Sequence, residues 1–205
     1  MVDYYNRILA FGTKFSTSLY EDPKKILSEL ETFSHEWKQY NPRKKVGREG
    51  LSLTSLDGGF SGIPDLDSIG EYCIKHNVRL NEMSFSEPTE AAQIFTRYME
   101  PFAPYIGRSH VIRMDGGGYF PPHRDMRSQE VDSFRLFLPL KNCNPPRTWF
   151  MLDREPLVFE HGRAYFINTS IEHTVFSCYP SVFGVFNIGV NEETVEALIK
   201  NIEWR

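Results

Sequence analysis

The sequence predicts a mainly β protein with flanking helices, and three observations predict it. From residue 106 to 190, short apolar, β-branched and aromatic runs recur between Gly, Pro and Asn residues, the pattern of a sandwich or barrel. Sixteen Phe and ten Tyr in 205 residues suit pleated, half-buried surfaces. Helical periodicity falls on either side of that stretch. The expected plan is a single domain over 1–205. A mixed helical region occupies 1–105, a β core 106–190 and a closing helix 191–205.

The elements follow in order. Asp22-Pro23 reads as an N-cap with proline at the first helical position. Ile26, Leu27, Leu30, Phe33 and Trp37 then recur at helical spacing, predicting a helix over 23–39. The polar stretch 41–50 is a loop. Its basic cluster, Arg43, Lys44, Lys45 and Arg48, reads as a solvated surface, with a carboxylate-bearing substrate as the alternative partner. Leu51 to Leu56 alternates as a strand and stops at Asp57-Gly58-Gly59. Helices are expected over 66–76 and 87–102. Strands are expected near 108–114, 118–124, 134–140, 148–152, 156–160, 163–168, 173–178 and 182–190. Asn191 caps the last helix, where Glu192 and Glu193 complement the dipole and Val195, Leu198, Ile199 and Ile202 form the apolar stripe.

Bulk chemistry removes several function classes. A content of 40% hydrophobic and 24% charged residues describes a soluble globular chain. A net charge of −4 argues against a nucleic-acid partner. Cys73, Cys143 and Cys178 are widely spaced and form no CxxC pair, which excludes a zinc knuckle and fits free thiols in a reducing cytoplasm. The first 15 residues lack the apolar centre of a secretory signal, and no run approaches the length of a membrane span. A cytoplasmic location is expected.

The chemistry-bearing stretch is Arg113-Met-Asp-Gly-Gly-Gly-Tyr-Phe-Pro-Pro-His123-Arg124-Asp125. On a strand, residues i and i+2 share a face, so His123 and Asp125 can grip one ion from one side. His173, in Glu172-His173-Thr-Val-Phe176, is the candidate third ligand. Two imidazoles and one carboxylate suit a non-haem iron(II) site with open positions. The local pattern leaves a second reading open: an ion pair of His123 with Asp125, and a satisfied strand histidine at 173. Gly116–Gly118 lacks the Lys-Ser/Thr and the following helix of a phosphate loop.

Residues 106–190 resemble the core of the 2-oxoglutarate/Fe(II) dioxygenase superfamily, nearest its aspartyl/asparaginyl β-hydroxylase-like and small prolyl-hydroxylase-like branches. The resemblance is carried by Gly117-Gly-Tyr-Phe-Pro-Pro-His123-Arg-Asp125, Phe134-Arg135-Leu-Phe-Leu-Pro-Leu140, Phe159-Glu-His-Gly-Arg-Ala-Tyr-Phe-Ile-Asn168 and Glu172-His173-Thr-Val. It covers about two-fifths of the chain. It implies a double-stranded β-helix, the jelly-roll or cupin-like fold, with Fe(II) on His123, Asp125 and His173. It also implies 2-oxoglutarate as co-substrate, dioxygen, and hydroxylation of an unactivated C–H bond in a small molecule or amino-acid side chain.

The co-substrate's distal carboxylate requires a cation when buried. In the family that cation commonly lies about ten positions after the second histidine, where this chain has Phe183, Gly184 and Val185. Arg135 matches the arginine that the aspartyl hydroxylase-like branch carries on the strand after the first ligand, and is the expected anchor; Arg113, Arg147 and Arg163 are the reserves. Two other classes stay open: a cupin-like metalloenzyme that does not use 2-oxoglutarate, and a non-catalytic jelly-roll binding module.

Overall fold

The computed structural model describes residues 2–41, 46–125 and 132–204, and its frame is antiparallel sheet. The larger sheet has seven strands in the order β1 (Lys14–Tyr20), β11 (Arg163–Ile167), β8 (Ser133–Lys141), β13 (Ser181–Gly189), β6 (His110–Met114), β3 (Arg48–Ser52) and β2 (Lys38–Gln39). The smaller sheet runs β10 (Glu155–Pro156), β9 (Thr148–Leu152), β12 (His173–Ser177), β7 (Tyr119–His123). A short pair joins β4 (Thr54–Ser55) to β5 (Glu87–Pro88). Two antiparallel sheets with a shared interior make a jelly roll, as the sequence predicts.

Period-two alternation divides the core into two layers. On β13, Phe183 and Val185 face the smaller sheet, while Phe186 and Ile188 face the helices. On β8, Phe137 faces inward and Phe134, Leu136, Leu138 and Leu140 face outward. The outer layer is covered by α1 (Val2–Leu9), α2 (Pro23–Leu30), α4 (Thr96–Met99) and α5 (Glu192–Lys200). Helix α3 (Ile69–His76) contributes no buried residue. Among the described residues no helix is long and apolar enough to cross a membrane.

Local chemistry explains the element ends. Asp22 caps α2 by accepting from the Lys24 N–H at 2.9 Å. Asn191 and Thr194 form a reciprocal capping box on α5. The expected helix over 23–39 stops at Leu30, passes through a 3₁₀ turn at Glu31–Phe33, and gives up Lys38 and Gln39 to pairing with β3. The expected helix over 87–102 is instead β5, two 3₁₀ segments (Glu90–Phe95 and Glu100–Phe102) and the single turn α4. Pro88 lies in the extended pair at its start and Pro101 just past α4, where proline removes a donor and fixes φ. The expected strand 51–56 is split into β3 and β4 around Leu53.

The expected strand 156–160 is reduced to β10. The Asn144 amide accepts from the Phe159 N–H and donates to its C=O, both at 2.8 Å, where a strand neighbour would otherwise bond. Helix α1 and strand β1 were not foreseen, and the larger sheet draws β1, β2 and β3 from before residue 106. Arg43, Lys44 and Lys45 lie outside the described residues. Arg48 does not behave as a solvated loop charge: it opens β3 and is 3% exposed.

Phe186 is fully buried on β13, tilted against Phe95 and stacked on Tyr98. Phe186→Ala is expected to cost about 3–5 kcal/mol, read as a lower denaturant midpoint.

Candidate metal centre

The three candidate ligands come together at one end of the barrel. His123 closes β7 and His173 opens β12, and the two are direct cross-strand partners. Asp125 lies two residues past the strand, where its N–H donates to the Thr169 carbonyl at 3.0 Å. The turn carrying Thr169 is organised by Asn168, whose Oδ1 accepts from Ser170 N–H (3.1 Å), Ser170 Oγ (2.6 Å) and the Tyr5 hydroxyl (3.0 Å). Burial pushes the Tyr5 phenol up to about 12, so it stays a donor. Helix α1 thereby buttresses the loop that fixes Asp125.

One donor atom from each of His123, Asp125 and His173 lies within 4.8 Å of the others. His123 Nδ1 is 2.7 Å from the Pro121 carbonyl and His173 Nδ1 is 3.0 Å from the Ile171 carbonyl. A carbonyl only accepts, so each Nδ1 carries the proton. In the neutral imidazoles each Nε2 then presents a lone pair. These point at Asp125, at 3.3 Å from His123 and 3.6 Å from His173. Three electron-pair donors facing one another fit a cation between them.

Electrostatics favour an ionised Asp125 and a neutral His173, and in the absence of a cation they draw His123 toward its protonated form. Burial alone would raise the Asp125 pKa, but the Arg135 guanidinium and the two imidazoles hold the carboxyl well below the usual range. Burial lowers the His173 pKa, while the hydrogen bond with Asp125 raises that of His123. Arg135, on β8, donates from Nη1 to Asp125 Oδ2 and from Nε to Asn187 Oδ1 at 2.7 Å. Its Nη2 lies 3.8 Å from Glu82. A neighbour bonded to one carboxylate oxygen leaves the other for a metal and fixes the plane of the group.

A cavity of about 360 Å3 opens on this group. Ile112, Phe137, Phe150 and Phe183, with Tyr40 packed against their cluster, form its apolar inner wall, while Glu82 and Arg108 line the polar outer side. Arg108 ties the outer wall together, donating to the Asp65 carbonyl (2.6 Å) and the Asp67 carbonyl (3.0 Å), with Glu82 at 3.5 Å.

Of the arginines singled out from the sequence, Arg135 alone lines the cavity. Arg113 pairs with Glu49 over the Trp37 ring. Arg147 donates to Asn142 in a turn. Arg163 pairs with Glu160 and Glu203. Sequence reasoning missed Arg108, His110 and Asn187 as cavity residues. Asn187 shares the inward parity of Phe183 and Val185, the one signal that pointed to it. His110 is buried in the cavity wall with no partner for Nδ1, and burial beside Arg108 and Arg135 keeps it neutral.

No family model matches the sequence, and no curated protein matches it. Solved structures do. A prolyl hydroxylase from Trichoplax adhaerens, in complex with a peptide of the hypoxia inducible factor oxygen degradation domain, aligns with a TM-score of 0.50 at 13% identity, over 94% of this chain and 90% of that one. A prolyl-4-hydroxylase from Pseudomonas putida aligns with a TM-score of 0.51 at 10% identity, over 94% of this chain and all of that one. This chain shares their fold. It is the double-stranded β-helix that the sequence resemblance implies, and the match extends well beyond the two-fifths of the chain that carries the motifs.

Asp65, beneath Arg108, is 2% exposed. Burial, reinforced by Asp57, pushes its carboxyl up to about 6 against the pull of Arg108. A raised acid pKa favours the folded state at low pH, and that contribution is lost as pH rises from about 4 to about 6. Relative to Asp65→Asn, the wild type should lose up to about 3 kcal/mol across that window, measured by urea melts at each pH.

Proposed function

We propose that this protein is an iron(II)-dependent oxygenase that uses 2-oxoglutarate and dioxygen to hydroxylate an unactivated C–H bond of a small molecule or amino-acid side chain. The observation that carries this reading is the convergence of His123, Asp125 and His173 at the mouth of a cavity. The shared fold supports it.

The donor set fits iron(II). Two neutral imidazole nitrogens and one carboxylate oxygen are the ligands that leave open positions for a bidentate acid and dioxygen. When bound, iron(II) supplies dioxygen activation coupled to decarboxylation: 2-oxoglutarate, dioxygen and substrate give succinate, carbon dioxide and the hydroxylated product. This chain's residues do the rest. The Pro121 and Ile171 carbonyls fix the tautomers of both imidazoles. Arg135 keeps Asp125 ionised and oriented, and stands beside the metal group to receive an incoming carboxylate. The aromatic inner wall excludes water, which strengthens the polar contacts it surrounds.

One observation favours a second reading. Phe183, ten residues past His173, is 3% exposed and packs at 5.1 Å from Phe137, so no cation stands on that part of β13. A cupin-like metalloenzyme indifferent to 2-oxoglutarate fits that surface.

An anaerobic titration with iron(II) and then 2-oxoglutarate separates the two. The reading expects one equivalent of iron and a weak visible charge-transfer band on adding the acid; iron binding without a band moves the assignment to the second reading. Asp125→Ala is expected to abolish iron-dependent succinate formation while leaving the circular dichroism spectrum unchanged, and retained turnover would remove Asp125 from the ligand set. Arg135→Ala is expected to raise the 2-oxoglutarate concentration for half-saturation at least tenfold, in line with the loss of a charge-assisted pair.

A further inference from the structure

Among the described residues Arg48 is a buried cation with no carboxylate to neutralise it. It is 3% exposed. Its Nε has no hydrogen-bond partner, and among the described residues no carboxylate pairs with it. Its guanidinium carbon lies 3.9 Å from the centre of the Phe120 ring and 5.4 Å from that of Tyr40. Ring faces attract a cation weakly but accept none of its N–H groups in the ordinary way. A guanidinium held out of water without a counter-ion is costly, so its place in the fold points to an anion that arrives from outside.

The topology says where that anion enters. Arg48 pairs with Met114, which pairs with Ser181, four rungs beyond the Val185–His110–Ser52 row and so on the same face. By alternation it shares the inward face of β3 with Gly50 and Ser52, whereas Leu51 belongs to the outer core. Tyr40 and Phe120 both line the cavity. Phe120 is the link to the metal group: its ring centre lies 6.4 Å from that of the ligand His123 and 6.4 Å from that of Phe183. Arg135 stands at the opposite end of the inward face, and its Nη1 is spent on Asp125. A carboxylate on Arg135 therefore sits beside the metal. The second carboxylate of a dicarboxylic oxo acid has to be paired farther along, where Ile112 and Phe183 offer nothing polar.

Resting on the oxygenase reading above, we propose that Arg48, supplied by strand β3, receives the distal carboxylate of the dicarboxylic oxo acid alongside the Phe120 ring. The cation missing from β13 is supplied by a strand two places away in the same sheet.

The test compares 2-oxoglutarate with 2-oxopentanoate, which has the same chain length and no distal carboxylate. Both are titrated into the iron(II) protein without oxygen, followed by the visible chelate band. The wild type should bind 2-oxoglutarate at least about 30-fold more tightly than 2-oxopentanoate. Arg48→Met should erase most of that preference, leaving iron affinity and 2-oxopentanoate affinity within about threefold, and Arg48→Lys should retain part of it. Equal wild-type affinity for the two acids overturns the proposal, as does an Arg48→Met variant that keeps the preference or loses affinity for both acids alike. Should Arg48→Met fail to fold, an undiminished preference in Arg48→Lys overturns it. A wild type that binds iron but forms no band with either acid removes the oxygenase reading as well, so the two failures are distinct.

Discussion

Strands β8 and β13 lie side by side over nine residues each, and both faces of the pair are closed. That constraint organises the rest. A strand buried on two sides has to be apolar almost throughout, and the run Phe134 to Leu140 satisfies this except at Arg135. The outward residues recruit the helices; the inward ones build the barrel interior. The polar exceptions, Arg135 on β8 and Asn187 on β13, are register partners that bond to each other through Nε and Oδ1. The polar end of the cavity is thus written into two interior strands of the larger sheet.

The proposed metal group is held from both sheets. The smaller one supplies His123 and His173 as cross-strand neighbours, so their separation is set by strand pairing. Asp125 lies outside any strand and depends on a backbone bond to Thr169, on the Asn168 hub and on Arg135. Two candidate ligands positioned by the ladder and one by a loop bond and side chains divide the work between backbone and side chains. The rims differ similarly: Arg108 ties Asp65, Asp67 and Glu82 together, while the inner wall is held by apolar packing.

The sequence was most informative where a short-range pattern decides the outcome. The strands over 108–114, 134–140, 148–152 and 163–168 fall within two residues of their expected ends, and Asp22 and Asn191 cap their helices as their spacing suggests. The convergence of His123, Asp125 and His173 was suggested by one i,i+2 pair and one later strand histidine and favoured by the family resemblance, although Asp125 lies past the strand rather than on it. What was not legible depended on distant partners. Lys14–Tyr20 becomes a strand because β11 offers an edge. Residues 156–160 are not a strand because Asn144 satisfies Phe159. Arg48 looked like part of a charged loop because its neighbours are basic; its burial follows from pairing with Met114, 66 positions downstream. His110, without a motif around it, gave no sign of its place in the cavity wall.

Strand β1 carries a consequence of another kind. Its residues 14–20 pair with 163–167, and Thr17 bridges to Ile202 beyond α5. During synthesis this segment has no strand to join until Arg163–Ile167 has also been made. Contacts of such sequence separation slow folding, because the loop between the partners must be closed first. Until then the outer edge of β11 and the alternating segment Lys14–Tyr20 are both open, each able to pair with another chain. The strand that seals this margin of the sheet is therefore among the earliest made, and removing Lys14–Tyr20 would leave the outer edge of β11 bare and adhesive.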